Sequence, residues 1–336
     1  MTVYVPFFED FSVGDDLSDV PAITVTEGMA AIHQALFGDR SKLSLDVELC
    51  RKVTGRAGLL ANNALVCNLA IGQSTIPSQR VLGNLFYRGL HLKNAVFLGD
   101  TLTTQTSVVA LRQNTIKAGR AATGMVALQM HVMNQHDQTV MLFWRCPMLP
   151  CRDPEADTGQ ADSFESMPAD ISDQALLQHL PDWSLDQFDR LTKGTKFADF
   201  EIGSTVDIEA ADTVTCAPEL VRMTLNMAMT HTDATRSFYG KRLVYGGHTI
   251  AVASAQMTRL IPNLCSILAW YQCDHTGPVF EQDILSTRVT IEDKLSLQQG
   301  GILKLHVEVT AQRGSEAPAE MQSAKVLDWR LACLTA

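Results

Sequence analysis

From Leu303 onward apolar and polar residues alternate: Leu303, Leu305, Val307 and Val309 against Lys304, His306, Glu308 and Thr310. A period of two predicts a strand with one wet face. Val126, Leu128, Met130 and Val132 repeat the pattern in the first half of the chain, and 140–146 and 326–333 read as central strands. Two other stretches, 61–71 and 246–260, are rich in small apolar residues, including Ala251, Ala253, Ser254 and Ala255. Such a stretch predicts a helix packed on all sides. A further helix is expected after Thr213-Val214-Thr215, with Thr215 as its cap and Pro218 and Glu219 in its first turn. Helices followed by consecutive strands make an α+β domain with a largely antiparallel sheet.

That order of elements occurs twice. Phe8-Glu9-Asp10-Phe11-Ser12-Val13-Gly14 returns as Phe197-Ala198-Asp199-Phe200-Glu201-Ile202-Gly203, and Thr24-Val25-Thr26 returns as Thr213-Val214-Thr215, both 189 residues later. Val96-Phe97 with Asp100 and Leu102 returns 183 residues later as Val279-Phe280 with Asp283 and Leu285, and Trp144-Arg145 returns as Trp329-Arg330. The period is far too long for a solenoid and points to a fused duplication. We place the copies at 1–150 and 181–336. Between them 151–180 carries seven acidic residues from Asp153 to Asp173 against Arg152 alone, and reads as a solvated connector with a local helix near 175–180.

At 336 residues each copy can bury a core, and 46% hydrophobic with 19% charged residues is ordinary for a soluble globular chain. The net charge of −10 disfavours nucleic acid and anionic membrane as partners. No run spans a bilayer, and Met1 to Pro6 lacks a secretion signal. The eight cysteines form no CxxC pair, which fits buried thiols of a cytoplasmic protein. No GxGxxG after a strand, GxxxxGK[ST], HExxH or GxSxG occurs, so neither a metal nor a redox cofactor is expected.

One segment carries candidate chemistry. Asn226-Met227-Ala228-Met229-Thr230-His231-Thr232-Asp233, followed by Leu243-Val244-Tyr245-Gly246-Gly247-His248, resembles the MaoC-like, hydratase-2 family, within it most closely the mesaconyl-CoA hydratase branch. The resemblance extends to the openings at Phe8 and Phe197. It implies a double hotdog, two fused domains each with an antiparallel sheet wrapped around a central helix. It also implies a homo-oligomeric hydro-lyase acting on an acyl-CoA, with coenzyme A as part of the substrate. The family's aspartate is replaced here by Asn226. In the first copy the matching positions are Phe37 and Lys42, so that copy is expected to be catalytically empty.

Under this resemblance the catalytic set is His231, Asn226 and Gly247. His231 would move the proton, because imidazole titrates near neutrality. Asn226 would orient water or merely cap a helix. Backbone N–H groups around Gly247 would hold the enolate oxygen at a helix start. Tyr245, Gly246, His248, Asp233, Arg236 and Arg242 are candidate substrate contacts. Arg236, Lys241 and Arg242 could meet CoA phosphates or form a solvated loop. A hotdog thioesterase and a non-catalytic acyl-CoA binder remain open alternatives.

Overall fold

The computed structural model describes residues 5–165, 167–168, 170–315 and 318–336; residues 1–4, on which the reading of the N-terminus for a secretion signal rests, lie outside them. The first copy runs β1 (Ile23–Thr24), α1 (Glu27–Phe37), α2 (Val47–Thr54), α3 (Asn63–Gln73), β2 (Gly83–Leu92), β3 (Thr101–Gln113), β4 (Thr123–Met133) and β5 (Thr139–Pro150). Two short helices follow, α4 (Asp173–Gln178) and α5 (Leu185–Leu191). The second copy runs β6 (Thr205–Asp207), β7 (Asp212–Thr213), α6 (Ala217–Met223), α7 (Gly246–Leu260), β8 (Leu264–His275), β9 (Ile284–Ser296), β10 (Gly301–Gln312), α8 (Ala319–Gln322) and β11 (Ser323–Thr335).

The strands form one antiparallel sheet in the order β1-β3-β4-β5-β2-β8-β11-β10-β9-β6, with β7 also on β9. The order on one side of the β2–β8 junction mirrors the order on the other, as a duplication with a pseudo-twofold axis requires. The alternation read from sequence holds: Leu303, Leu305, Val307 and Val309 are buried along β10 and their neighbours are less so. The repeated aspartates keep the same local duty. Asp100 Oδ2 accepts from Phe97 N–H at 2.8 Å, and Asp283 Oδ2 from Phe280 N–H at 3.0 Å.

The two small-residue segments are the buried helices α3 and α7, whose side chains join one core with both halves of the sheet. They meet closely at Gly247, where Asn68 Nδ2 donates to the carbonyl at 3.2 Å and an added Cβ would collide with Asn68 and Tyr245. No helix among the described residues is long and apolar enough to cross a membrane. Every cysteine is free, and all but Cys216 are buried.

Two expectations need correction, the Thr215 cap and the phase of the Trp-Arg repeat. Thr26 caps α1 by accepting from Met29 N–H at 3.2 Å, but its counterpart Thr215 does not cap α6. There Cys216 takes the cap position in a left-handed conformation, φ 56°. The connector is solvated along most of its length, with Asp153, Glu155, Asp157, Glu165 and Asp170 exposed, and is pinned by the buried Cys151, Met167 and Leu176 and by Asp162 Oδ2, which accepts from Leu111 N–H on β3. Lastly, Trp144-Arg145 and Trp329-Arg330 are out of phase. Trp329 is buried and Arg330 half-buried, whereas Arg145 is buried and Trp144 half-buried. Pairing of Tyr87 with Arg145 corresponds to pairing of Trp270 with Leu331, so the counterpart of Arg145 is Leu331.

Candidate active site

A cavity of about 270 Å³ opens at the junction of the two copies. The first copy contributes Thr75 and Ser78 beyond α3, Tyr87 on β2 and Arg145 on β5; the second contributes Asn226, His231, Tyr245, Gly246 and His275. The loop before α7 is tied across the seam, with Met227 N–H donating to Thr75 Oγ1 at 2.9 Å and Met229 N–H to Gln79 O at 2.8 Å.

His231 ends a single 3-10 turn, Met229–His231. Its Nδ1 lies 2.8 Å from Leu243 O. A carbonyl can only accept, so Nδ1 carries the hydrogen and the lone pair sits on Nε2. Burial pushes the imidazole pKa down to about 4, outweighing the opposite pull of the Leu243 carbonyl. The ring is therefore neutral at pH 7, with a free acceptor, and it leans on Tyr245 with centroids 5.5 Å apart.

Asn226 uses its Oδ1 to accept from Ala228 N–H at 2.9 Å, which leaves the amide nitrogen as the group it can offer to the cavity. Tyr245 precedes α7, and its buried hydroxyl meets no partner among the described residues. Gly246 opens α7 and lines the cavity, with the His275 ring packed where a Cβ would stand. The first N–H groups of α7, at Gly246 and Gly247, have no carbonyl one turn back to accept them.

The remaining predicted residues lie elsewhere. Gly247 sits one step beyond the lining and serves the α3–α7 contact. His248 turns away from the cavity: its Nε2 lies 3.1 Å from Thr215 O and its ring packs edge-on to Phe37. As a substrate contact it is therefore a correction, because the first helical turn points it at α1. Asp233, Arg236 and Arg242 stand on the exposed loop outside the cavity, where Asp233 Oδ1 accepts from Thr235 and Arg242 lies 3.8 Å from Glu281. From the same loop Tyr239 lines the cavity.

Sequence reading missed His275 and Arg145. His275 Nε2 is buried and meets no partner among the described residues, and its pKa falls to about 4, first through burial. The signal was in the comparison of copies: 183 residues earlier the chain has Leu92, just as Arg145 corresponds to Leu331. Among the described residues one group has metal-ligand spacing, His306, Glu308 and Asp328. None of the three lines the cavity, and Lys325 already bonds Glu308 at 2.9 Å and Asp328 at 2.7 Å.

A larger cavity of about 460 Å³ is the duplicate of this one. Asn63, Val66, Leu92 and Ser266 line it at the positions of Gly246, Thr249, His275 and Gly83. It lacks the counterpart imidazole. Lys42 stands at the position of His231 and sends its Nζ to Lys193 O at 2.7 Å and Asn263 Oδ1 at 2.9 Å. The smaller cavity is the one that holds Asn226 and His231; the imidazoles lining the larger one, His136 and His179, stand at other positions.

No family model matches the chain. Rv0216 of Mycobacterium tuberculosis, a solved double-hotdog structure, is 42% identical, with a TM-score of 0.91 and full coverage of both chains. The β-methylmalyl-CoA dehydratase of Chloroflexus aurantiacus is 29% identical over 87% of this chain and 83% of its own. The mesaconyl-CoA hydratase of Cereibacter sphaeroides is 27% identical over 93% and 90%.

Proposed function

We propose, from the premise that this chain belongs to the MaoC-like family of double-hotdog proteins, that it is a hydro-lyase reversibly hydrating a short-chain 2-enoyl-CoA thioester. The interconversion of mesaconyl-CoA and β-methylmalyl-CoA, named in two relatives, is the reaction we favour. One observation carries the reading: the Nε2 lone pair of His231 lines a cavity shared with the start of α7.

In the hydration direction Nε2 takes a proton from water as its oxygen bonds C3 of the enoyl group. The C2–C3 π pair moves through C2 to the thioester oxygen. The free N–H of Gly246, on the cavity wall at the start of α7, receives that charge, a contact typically worth roughly 3 kcal/mol of barrier. The enolate then takes a proton at C2 from the imidazolium, which restores the neutral ring. Asn226 offers its amide N–H₂ to orient the water, and stays neutral throughout. Arg236, Lys241 and Arg242, on the loop outside the cavity, would meet the CoA phosphates. A cytoplasmic homo-oligomer belongs to the same proposal and rests on family resemblance alone.

The test is a panel of 2-enoyl-CoA and 3-hydroxyacyl-CoA thioesters followed by enoyl absorbance and by free thiol. Loss of enoyl absorbance without thiol release supports the proposal. Thiol release would make the protein a thioesterase, and silence in both channels would make it a binder.

A further inference from the structure

We propose that Arg145 is a carboxylate-binding residue that selects acyl groups ending in a second carboxylate. The proposal rests on the hydro-lyase reading and deepens it. Among the described residues Arg145 is the one formally charged side chain lining the active-site cavity, and no Asp, Glu or Lys joins it there. It is 3% exposed. A guanidinium stays protonated in proteins, and a buried cation without a counter-charge is costly.

The side chain is held but not neutralised. Its Nε donates to Ser74 Oγ and its Nη2 to Ser78 Oγ, both at 2.9 Å, and Nη2 also to Ser74 O. All three acceptors are uncharged. No protein acceptor meets Nη1 and no ion pair forms, among the described residues. Tyr87, Tyr245 and Cys146 are its titratable neighbours, and burial holds both phenols and the thiol neutral, well above their ordinary ranges.

Packing does not require the charge. The duplicated copy fills the corresponding place with Leu331, fully buried. Arg330 next to it, like Arg145 in sequence only, is neutralised by Glu292 and Asp328. An arginine kept buried, oriented by three neutral acceptors and left with a free donor edge in a cavity, fits an anion brought by the ligand. The CoA phosphates are attached to the far end of the pantetheine arm, so the anion beside the reacting carbons is a carboxylate of the acyl group.

The test compares matched thioesters: fumaryl-CoA against crotonyl-CoA, which differ by carboxylate for methyl, and their saturated forms succinyl-CoA and butyryl-CoA. The wild type should prefer fumaryl-CoA by about 100-fold in kcat/KM and bind succinyl-CoA at least about tenfold more tightly by calorimetry. R145M should lose the fumaryl-CoA rate by about 100-fold while its crotonyl-CoA rate stays within about threefold, and R145K should recover part of the difference. A wild type that treats each pair alike overturns the proposal, as does a folded R145M that loses both rates equally. If R145M fails to fold, the two wild-type ratios decide. If neither enoyl thioester is hydrated, the hydro-lyase reading has failed, and the succinyl-CoA to butyryl-CoA affinity ratio still judges Arg145.

Discussion

Nδ1 of His231 stands 2.8 Å from the carbonyl oxygen of Leu243, and this contact decides which end of the ring can act. With Nδ1 donating, only Nε2 can take a proton. Replacing His231 with Ala should lower hydration by about 10²–10⁴-fold, the usual span for a general base. The ring lines an open cavity rather than sealing a core, so Tm should move by only a few degrees. Steady-state kinetics and a thermal melt on the same preparation check both halves. The acid limb of the wild-type kcat/KM profile should lie well below 6.5, toward about 4, because burial favours the neutral ring. A limb at 6.5 would remove this imidazole from the mechanism.

The adjacent glycines of α7 should fail for different reasons. At Gly246 an added methyl drives into the His275 ring and so into the cavity. At Gly247 it drives into Asn68 and Tyr245, where α3 and α7 touch. Gly247→Ala should therefore lose roughly 1–3 kcal/mol of stability as an overpacked contact. Gly246→Ala should lose activity by a larger factor than Gly247→Ala in the folded fraction. Denaturant titration paired with active-fraction kinetics separates the two.

Sequence carried the architecture further than the site. Gly246–Leu260 was readable because the thirteen residues before Arg259 carry no formal charge and so cannot sit on a surface, and β10 because its two faces differ residue by residue. The Asn226-to-His231 spacing led to the cavity because both ends lie on one short loop. His248 misled because its neighbours in sequence, Tyr245 and Gly246, face the cavity while the helical turn carries position 248 round to α1. Arg145 was hidden by the Trp-Arg repeat, since a shift of one residue on a strand exchanges its faces. His275 lay at the end of β8, where pairing across the seam with β2, not any local motif, brings it to the pocket.

Lys42 tests the claim that only one copy is active. Its Nζ bridges Lys193 O and Asn263 Oδ1, which joins the turn after α1 to the second copy at two points, after α5 and between α7 and β8. Lys42→Ala should leave kcat within about twofold and cost about 1 kcal/mol for the lost hydrogen bonds. A collapse of turnover in a folded Lys42→Ala protein would overturn the claim that the first copy is silent.

Acid should unfold this protein through histidines that take no part in catalysis. His33, His91 and His248 are all buried. Burial lowers each from 6.5 to about 4; Asp39 opposes the shift at His33, while His179 and Lys93 add to it at His91. Between pH 6.5 and 4 the unfolded chain therefore binds more protons than the folded one. Their contribution to stability is complete above pH 6.5 and is lost as pH falls toward 4. Each fully responding histidine changes unfolding free energy by about 1.4 kcal/mol per pH unit. Urea midpoints measured from pH 7 to pH 4.5 should fall steadily, and the slope should shrink in His248→Gln, which removes one of the three titrations. A flat profile across that interval would show that these rings are protonated in the folded state.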